Sequence, residues 1–333
     1  MKGAIALHDL KPIFSYLKPY RRELLIAIAL LLAECIFEML IPLLMTDIVD
    51  IGVPNHDVAF LFRQGWKMGL CAVLSLVTGL LYARFAAKAA YGFGAELRLA
   101  EYKRMQDYAF SNLDRFSTAS LVTRMTTDVT VMQNAVNAGL RPLVRSPVML
   151  FMGVGLSFAL NPDLALIFVI CAPILGIILA LIVHKVSPLY TQQQAAVDHV
   201  NSRLQESLTA IRAIKAFVRR DYEETQFDSV NQELMTASRD TFRHALLNMP
   251  AFQAVMYTAV VLIMWFGGRF IMVGTMTVGE LTGFLSYVLQ VMNSLMMISN
   301  VFLLLTRSLT SARRIREVLE EQPELTELSL IHI

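Results

Sequence analysis

The chain has 333 residues, of which 56% are apolar even before its 16 glycines are counted and only 17% are charged, with a mean hydropathy of +0.53. Soluble globular domains hold about 45–50% apolar residues with glycine included and about 25% charged ones, so these figures describe a membrane protein. Three cysteines and no glycine period exclude a disulfide scaffold and a collagen-like repeat, and a formal net charge of +2 argues against a bulk electrostatic grip on nucleic acid.

Residues 1–23 form an amino-terminal segment in which 10–17 is expected to make a short helix on the inner membrane surface, with Lys18-Pro19 as an elbow. Apolar runs long enough to cross a bilayer follow at 24–45, 164–183, 251–268 and 281–305. Shorter ones at 68–82 and 147–160 continue into helix-forming sequence, giving six spans. Residues 47–57, with Gly52 and Pro54, separate the first two spans. Asn161-Pro162-Asp163 turns the third into the fourth, and 274–279 turns the fifth into the sixth. Lys11, Lys18, Arg21 and Arg22 precede the first span, and Arg307, Arg313, Arg314 and Arg316 follow the last, whereas the opposite loops hold only Arg63, Lys67 and Arg269. The positive-inside rule then puts both termini in the cytoplasm. The first run is too long for a cleavable signal and contains Glu34 and Glu38, so it is expected to stay as an anchor. Cys35, Cys71 and Cys171 fall in apolar spans and read as small buried hydrophobes.

The inner segments are longer than loops need to be. From Trp66 to Asn112 there is no proline and the pattern stays helical, which at 1.5 Å per residue is about 70 Å against a hydrocarbon core of about 30 Å. A return path begins at Asp128, and a second excursion, 189–249, lacks both proline and glycine. At the first tip Ser117 or Thr118 is expected to cap a short helix, with Thr127 or Asp128 capping the next. At the second, Ile211, Ile214 and Phe217 among basic neighbours make an apolar face suited to docking another protein.

These residues resemble the transmembrane domain of ABC exporters of the bacterial multidrug type. The stretch 116–128 resembles that family's first coupling helix, with Phe116, Ser120, Leu121, Arg124 and Asp128. The stretch 206–227 resembles the second, with Glu206, Ile211, Arg212, Lys215 and Phe217. Residues 277–284 with Tyr287 are similar to the opening of the family's sixth span, and 311–319 to the linker after it. Ala119 and Ala210 stand where many members have glycine.

The resemblance implies an all-α integral membrane fold of the type-1 exporter kind. Six transmembrane helices over 24–310 would carry long cytoplasmic extensions and two coupling helices, with a linker at 311–333 leading toward an absent nucleotide-binding domain. It implies a permease moving a hydrophobic or amphipathic compound, drug or lipid, out across the cytoplasmic membrane by alternating access. The expected partners are a second half-transporter (a homo- or heterodimer), nucleotide-binding domains, the lipid bilayer and a small hydrophobic substrate, with no nucleic acid. No G-x4-G-K-[ST] loop or L-S-G-G-Q signature is present before Ile333, so the chain is read as a truncated half-transporter. ATP and Mg are expected to enter only through the nucleotide-binding domain of the full transporter, and no catalytic site, metal site or cofactor is expected in these residues. The alternative is a six-span receptor or scaffold that binds a cytoplasmic partner without transport.

Glu34 and Glu38 share one face of the first span, where an acidic side chain is costly in lipid. They either line a cavity that selects cations or binds protons, or serve structurally through a hydrogen bond to a neighbouring helix. Pro42 is expected to bend the helix beyond them. In the sixth span Ser286, Gln290, Asn293, Met297 and Asn300 form a polar stripe that suits a wet cavity or a helix contact. Gln133, Asn137, Gln253 and Tyr257 are further candidates for that space, and Met292 and Met296 for its adaptable wall. The six histidines show no ligand spacing, and no HExxH or GxSxG motif occurs.

Overall fold

A computed structural model describes residues 12–322, with every side chain among them described except those of Asp114 and 298–307. The start of the elbow segment, the end of the 311–333 linker and the side chain of Asn300 therefore lie outside the described residues. No strand occurs among the described residues, and five helical stretches there are long and apolar enough to cross a membrane. The sixth apolar run belongs to the last helix.

The chain divides into two packed units, one made of residues up to Ala165 and from Ile263 on, the other of Leu166–Leu262. In the first unit a 3-10 turn, Ser15–Tyr20, leads into helix α1, Arg21–Asp47. Ala27, Leu31, Cys35, Met39, Pro42 and Thr46 recur at helical spacing and are buried, whereas Leu25, Leu32, Ile36 and Leu43 on other faces are exposed, as a helix bathed in lipid requires. Past a π-helical turn, Ile48–Gly52, the Asp57 carboxylate accepts from the Phe60 amide at 2.9 Å and opens α2, Val58–Gln106. Its 49 residues reach about 74 Å. The first half of α2 exposes Phe62, Trp66, Leu70, Val73 and Leu80, while the second half buries Ala86, Ala90, Phe93, Leu97 and Glu101. That change of face marks the passage from lipid to protein packing.

Helix α2 stops at Gln106 rather than continuing to Asn112, because Asp107–Ala109 turn and the Asn112 side chain accepts from the Ala109 amide to start α3, Phe110–Arg115. Ser117 caps α4, Thr118–Thr123, as its spacing predicts. The second expected cap, at Thr127 or Asp128, does not form. A π-helical turn, Arg124–Asp128, runs without a break into α5, Val129–Leu160, because the Asp128 carboxylate is held elsewhere. Asn161 then adopts extended backbone, its side chain accepting from the Leu164 amide at 3.0 Å, and Pro162 stands at the first position of α6, Pro162–Thr209, where its missing amide costs nothing.

In the second unit the buried residues of α6 (Phe168, Cys171, Leu175, Leu179, Val186) follow a seam of three and four residues. Ala210 leaves helical geometry, α7 spans Ile211–Ala216, and Val218 at φ 52° reverses the chain into α8, Arg220–Ala245. Polar ties hold α6 to α8, from Thr241 to the Leu189 carbonyl and from Arg203 to Glu223. Helix α9, Asn248–Val273, ends on Gly274 at φ 80°, the left-handed conformation that glycine adopts without penalty. Thr277 and Glu280 form a capping box at the start of α10, Val278–Glu320, which carries the sixth apolar run straight into the residues read as linker.

Helices α1, α2, α5 and α10 pack on one another in the first unit. Ile13 of the elbow segment is fully buried in a cluster with Phe93, Leu97, Val129, Ala312 and Ile315, and Phe14 stacks on Phe93 at 6.2 Å. Ile13 thus anchors the described part of that segment to protein, while Phe14, Lys18 and Pro19 stay exposed.

Candidate functional site

The first tip faces inward. Phe116 and Leu121 are buried with Tyr108 and Val318. Arg124 donates to the Arg314 carbonyl at 2.6 Å, pairs with Glu317 at 2.8 Å, and lies over the Phe116 ring. Asp128 accepts from the Ser311 hydroxyl at 2.9 Å and pairs with Arg314 at 3.2 Å. Tyr108 donates to the Val318 carbonyl at 2.6 Å, and burial, with the Glu321 charge beside it, pushes its phenol up to about 12. Arg115 grips Glu321 through both carboxylate oxygens, and Asn112 reaches Glu321 and Gln322. Hence the end of α10 is strapped along the first tip. Among the expected coupling residues only Ser120 is half-buried rather than buried, and the outward surface is made instead by Phe110, Thr118, Ala119 and Val122.

The second tip faces outward. Glu206, Ile211, Arg212, Lys215 and Phe217 are all exposed, Phe217 to 79%, and Val218 beside it to 86%. Just behind them Arg203 pairs with Glu206 and Glu223, and Ser207 donates to Glu223, which braces the helices that carry the tip. Phe217 and Val218 thus form an exposed apolar pair on a braced support.

Between the spans, Glu34 and Glu38 meet Arg141 and Arg145 of α5. Arg141 donates to Glu34, and Arg145 bridges Glu34 at 3.3 Å and Glu38. The Arg141 guanidinium, 43% exposed, lies 5.7 Å from the centre of the Tyr82 ring. Gly79 of α2 lets the Glu34 carboxyl approach, since a Cβ there would stand 3.3 Å from its Cδ. The quartet's charges balance. Both arginines escape sequence reasoning because the apolar run of the third span begins only at residue 147, although their four-residue spacing matches that of the two glutamates.

The stripe on α10 is unevenly disposed. Ser286 donates to the Thr282 carbonyl, Gln290 keeps a buried Oε1 without a hydrogen-bond partner among the described residues, and Asn293 and Met297 are exposed. Tyr287, one step aside, is buried and donates to the Met39 carbonyl at 3.0 Å, tying α10 to α1. Gln133 is removed from this group: it is buried against Gly94, where a Cβ would lie 2.5 Å from its Oε1. Asn137 is half-buried, Met292 is buried, Met296 is half-buried, and Gln253 and Tyr257 are exposed on α9. At the far end, Asp50 accepts from the Thr277 hydroxyl and from the Gly279 amide at 2.7 Å, and a Cβ on Gly279 would strike Asp50. Among the described residues no three His, Cys, Asp or Glu side chains gather as a metal ion needs.

A family model described as the ABC transporter transmembrane region matches residues 24–295. The chain is 33% identical over 308 residues to an uncharacterized ABC transporter ATP-binding protein, YfiB, of Bacillus subtilis, covering 92% of this chain and 54% of that protein. It is 28% identical over 304 residues to an uncharacterized ABC transporter ATP-binding protein of Mycobacterium tuberculosis, covering 91% and 52%. It is 25% identical over 319 residues to an ATP-dependent lipid A-core flippase of Desulfotalea psychrophila, covering 95% and 55%. The chain thus spans about half the length of the curated relatives it matches.

Proposed function

This chain belongs to the ABC transporter transmembrane family, and on that premise we propose that it is the permease part of an ATP-driven exporter moving a hydrophobic or amphipathic compound, drug or lipid, out across the cytoplasmic membrane. The observation that carries the reading is the pair of braced helical tips lying far from the apolar runs, one of them presenting Phe217 and Val218 to solvent. Nucleotide-binding domains would dock there and hold ATP and its Mg, for which these residues offer no phosphate loop. Their closure would drive the helices as rigid rods between two packings, opening the permease alternately to either side.

The basic flanks support cytoplasmic termini, which put both tips on the side where ATP is found. A second half-transporter, identical or not, belongs to the same reading, with the exposed apolar side chains of the spans left to face it or lipid. The name of the lipid A-core flippase supports an amphipathic cargo. Glu34, Glu38, Gln290, Asn293, Met297 and Asn300 remain the proposed cargo contacts, and the arginines paired with the two glutamates join them in the proposal.

The test uses the complete transporter in proteoliposomes. Vanadate-sensitive ATPase activity is expected to rise severalfold with some amphipathic compounds of a panel, and those compounds are expected to accumulate in inside-out vesicles only with ATP. Partner binding at the tips with no ATP-dependent movement of any compound would favour the receptor or scaffold.

A further inference from the structure

The inward face of α2 beyond the membrane carries Leu97, Glu101 and the half-buried Met105 at steps of four, and Tyr108 follows in the turn after the helix. Leu97 belongs to the apolar cluster that holds Ile13, Val129, Ala312 and Ile315, and Met105 packs on the cluster of Tyr108, Phe116, Leu121 and Val318. Glu101 sits between the two. It is 0% exposed, and among the described residues neither of its carboxyl oxygens has a hydrogen-bond partner. Helix α2 leaves its apolar run near Tyr82, so Glu101 lies about 28 Å further on, outside the bilayer.

Of the charged groups around it, Arg104 keeps a buried Nε without a hydrogen-bond partner among the described residues, and the others are already engaged. On α2, Arg98 donates to the Met125 carbonyl and to Thr130, and Arg104 stands one turn toward Tyr108. From the turn after α4 come Arg124 and Asp128, and from α10 come Arg314 and Glu317, which hold them. No guanidinium of the described residues is hydrogen-bonded to Glu101, and Asp128 adds a second negative charge.

We propose that Glu101 is a proton-operated switch in the junction of α2, the first tip and the end of α10. As the neutral acid it lets the two apolar clusters close on each other, and as the carboxylate, its proton passed to water, it parts them. Burial first, and then the Asp128 charge, pushes the Glu101 carboxyl up to about 8, while Arg124 and Arg98 pull it down only in part. Because this value lies above that of an unfolded glutamate, the junction is fully stabilised at acid pH and loses that stability as pH rises through about 8. The strapping of the first tip to α10 would therefore slacken progressively from about pH 5 to about pH 8. In transport terms this sets how firmly the first tip drives the last span, a meaning that rests on the proposed function, whereas the device itself does not.

Hydrogen exchange of the complete transporter in nanodiscs tests it, with Glu101→Gln measured at each pH to cancel intrinsic exchange. Protection of residues 108–124 and 311–320 in the unmodified protein, relative to Glu101→Gln, is expected to fall by about tenfold between about pH 6 and 7, the limiting slope for release of one proton, and to level off above about pH 8. Glu101→Leu, which keeps an apolar filling, is expected to behave as Glu101→Gln does, so poor folding of one variant leaves the other. Parallel pH profiles for the unmodified protein and the variants would overturn the switch. Loss of the switch with ATP-driven transport intact would leave the transport reading standing.

Discussion

Phe217→Ala is expected to disconnect ATP hydrolysis from transport in the complete transporter while leaving the fold unchanged. The side chain is 79% exposed, so truncation removes little packing and should change stability by no more than about 0.5 kcal/mol. An aromatic anchor seated in a partner's pocket contributes about 2 kcal/mol or more, so docking should weaken about thirtyfold. Compound-stimulated ATPase activity and ATP-dependent uptake would both fall, with the unfolding midpoint unmoved. Phe116→Ala is the instructive contrast. That ring is buried with Tyr108, Leu121 and Val318, so its loss should cost about 3 kcal/mol of stability. Unchanged stimulation in Phe217→Ala would remove the second tip from the docking account.

The second large effect concerns the quartet between α1 and α5. Glu34→Gln leaves Arg141 without its carboxylate and Arg145 with Glu38 alone. Breaking a buried ion pair costs about 3–5 kcal/mol, and because Arg141 is 43% exposed the lower end is expected. Adding Arg141→Gln should recover most of that loss, a coupling that a double-mutant cycle measures directly. The charge balance also bears on cargo. Glu34→Gln with Glu38→Gln turns a neutral group into one with two unpaired guanidiniums, so efflux of cationic dyes should fall more than that of neutral dyes. An equal fall for both would confine the quartet to holding the helices together.

The parts legible in the sequence are those that local chemistry decides. Apolar runs mark the spans, Asn161-Pro162 and Gly274 through Gly279 the turns between them, and Ser117 the start of α4. What escapes depends on partners distant in the chain. Asp128 looks like a helix cap until Ser311 and Arg314, 183 and more residues away, take its carboxylate. Residues 311–319 read as a linker by resemblance alone, yet Arg314, Glu317 and Val318 find their partners on the first tip. Arg141 and Arg145 carry no apolar signal and fall just outside the run read as the third span, although they complete the charges of Glu34 and Glu38. Glu101 likewise reads as an ordinary charged residue of a solvated helix until packing encloses it.

The central claim is mechanical: two braced tips stand well clear of the bilayer so that a nucleotide-driven partner can push on them. Nitroxide labels at exposed Ala119 and Ala213, in the complete transporter reconstituted into lipid, measure their distance from the headgroups through accessibility to a water-soluble relaxer and to oxygen. About 36 Å of helix separates Tyr82 from the end of α2, and about 39 Å separates Val183 from the end of α6, so both labels are predicted to be inaccessible to lipid-dissolved oxygen and to move between two discrete distances when ATP is trapped with vanadate. Labels lying against the headgroups, or a single broad distribution that ATP leaves unchanged, would contradict the account.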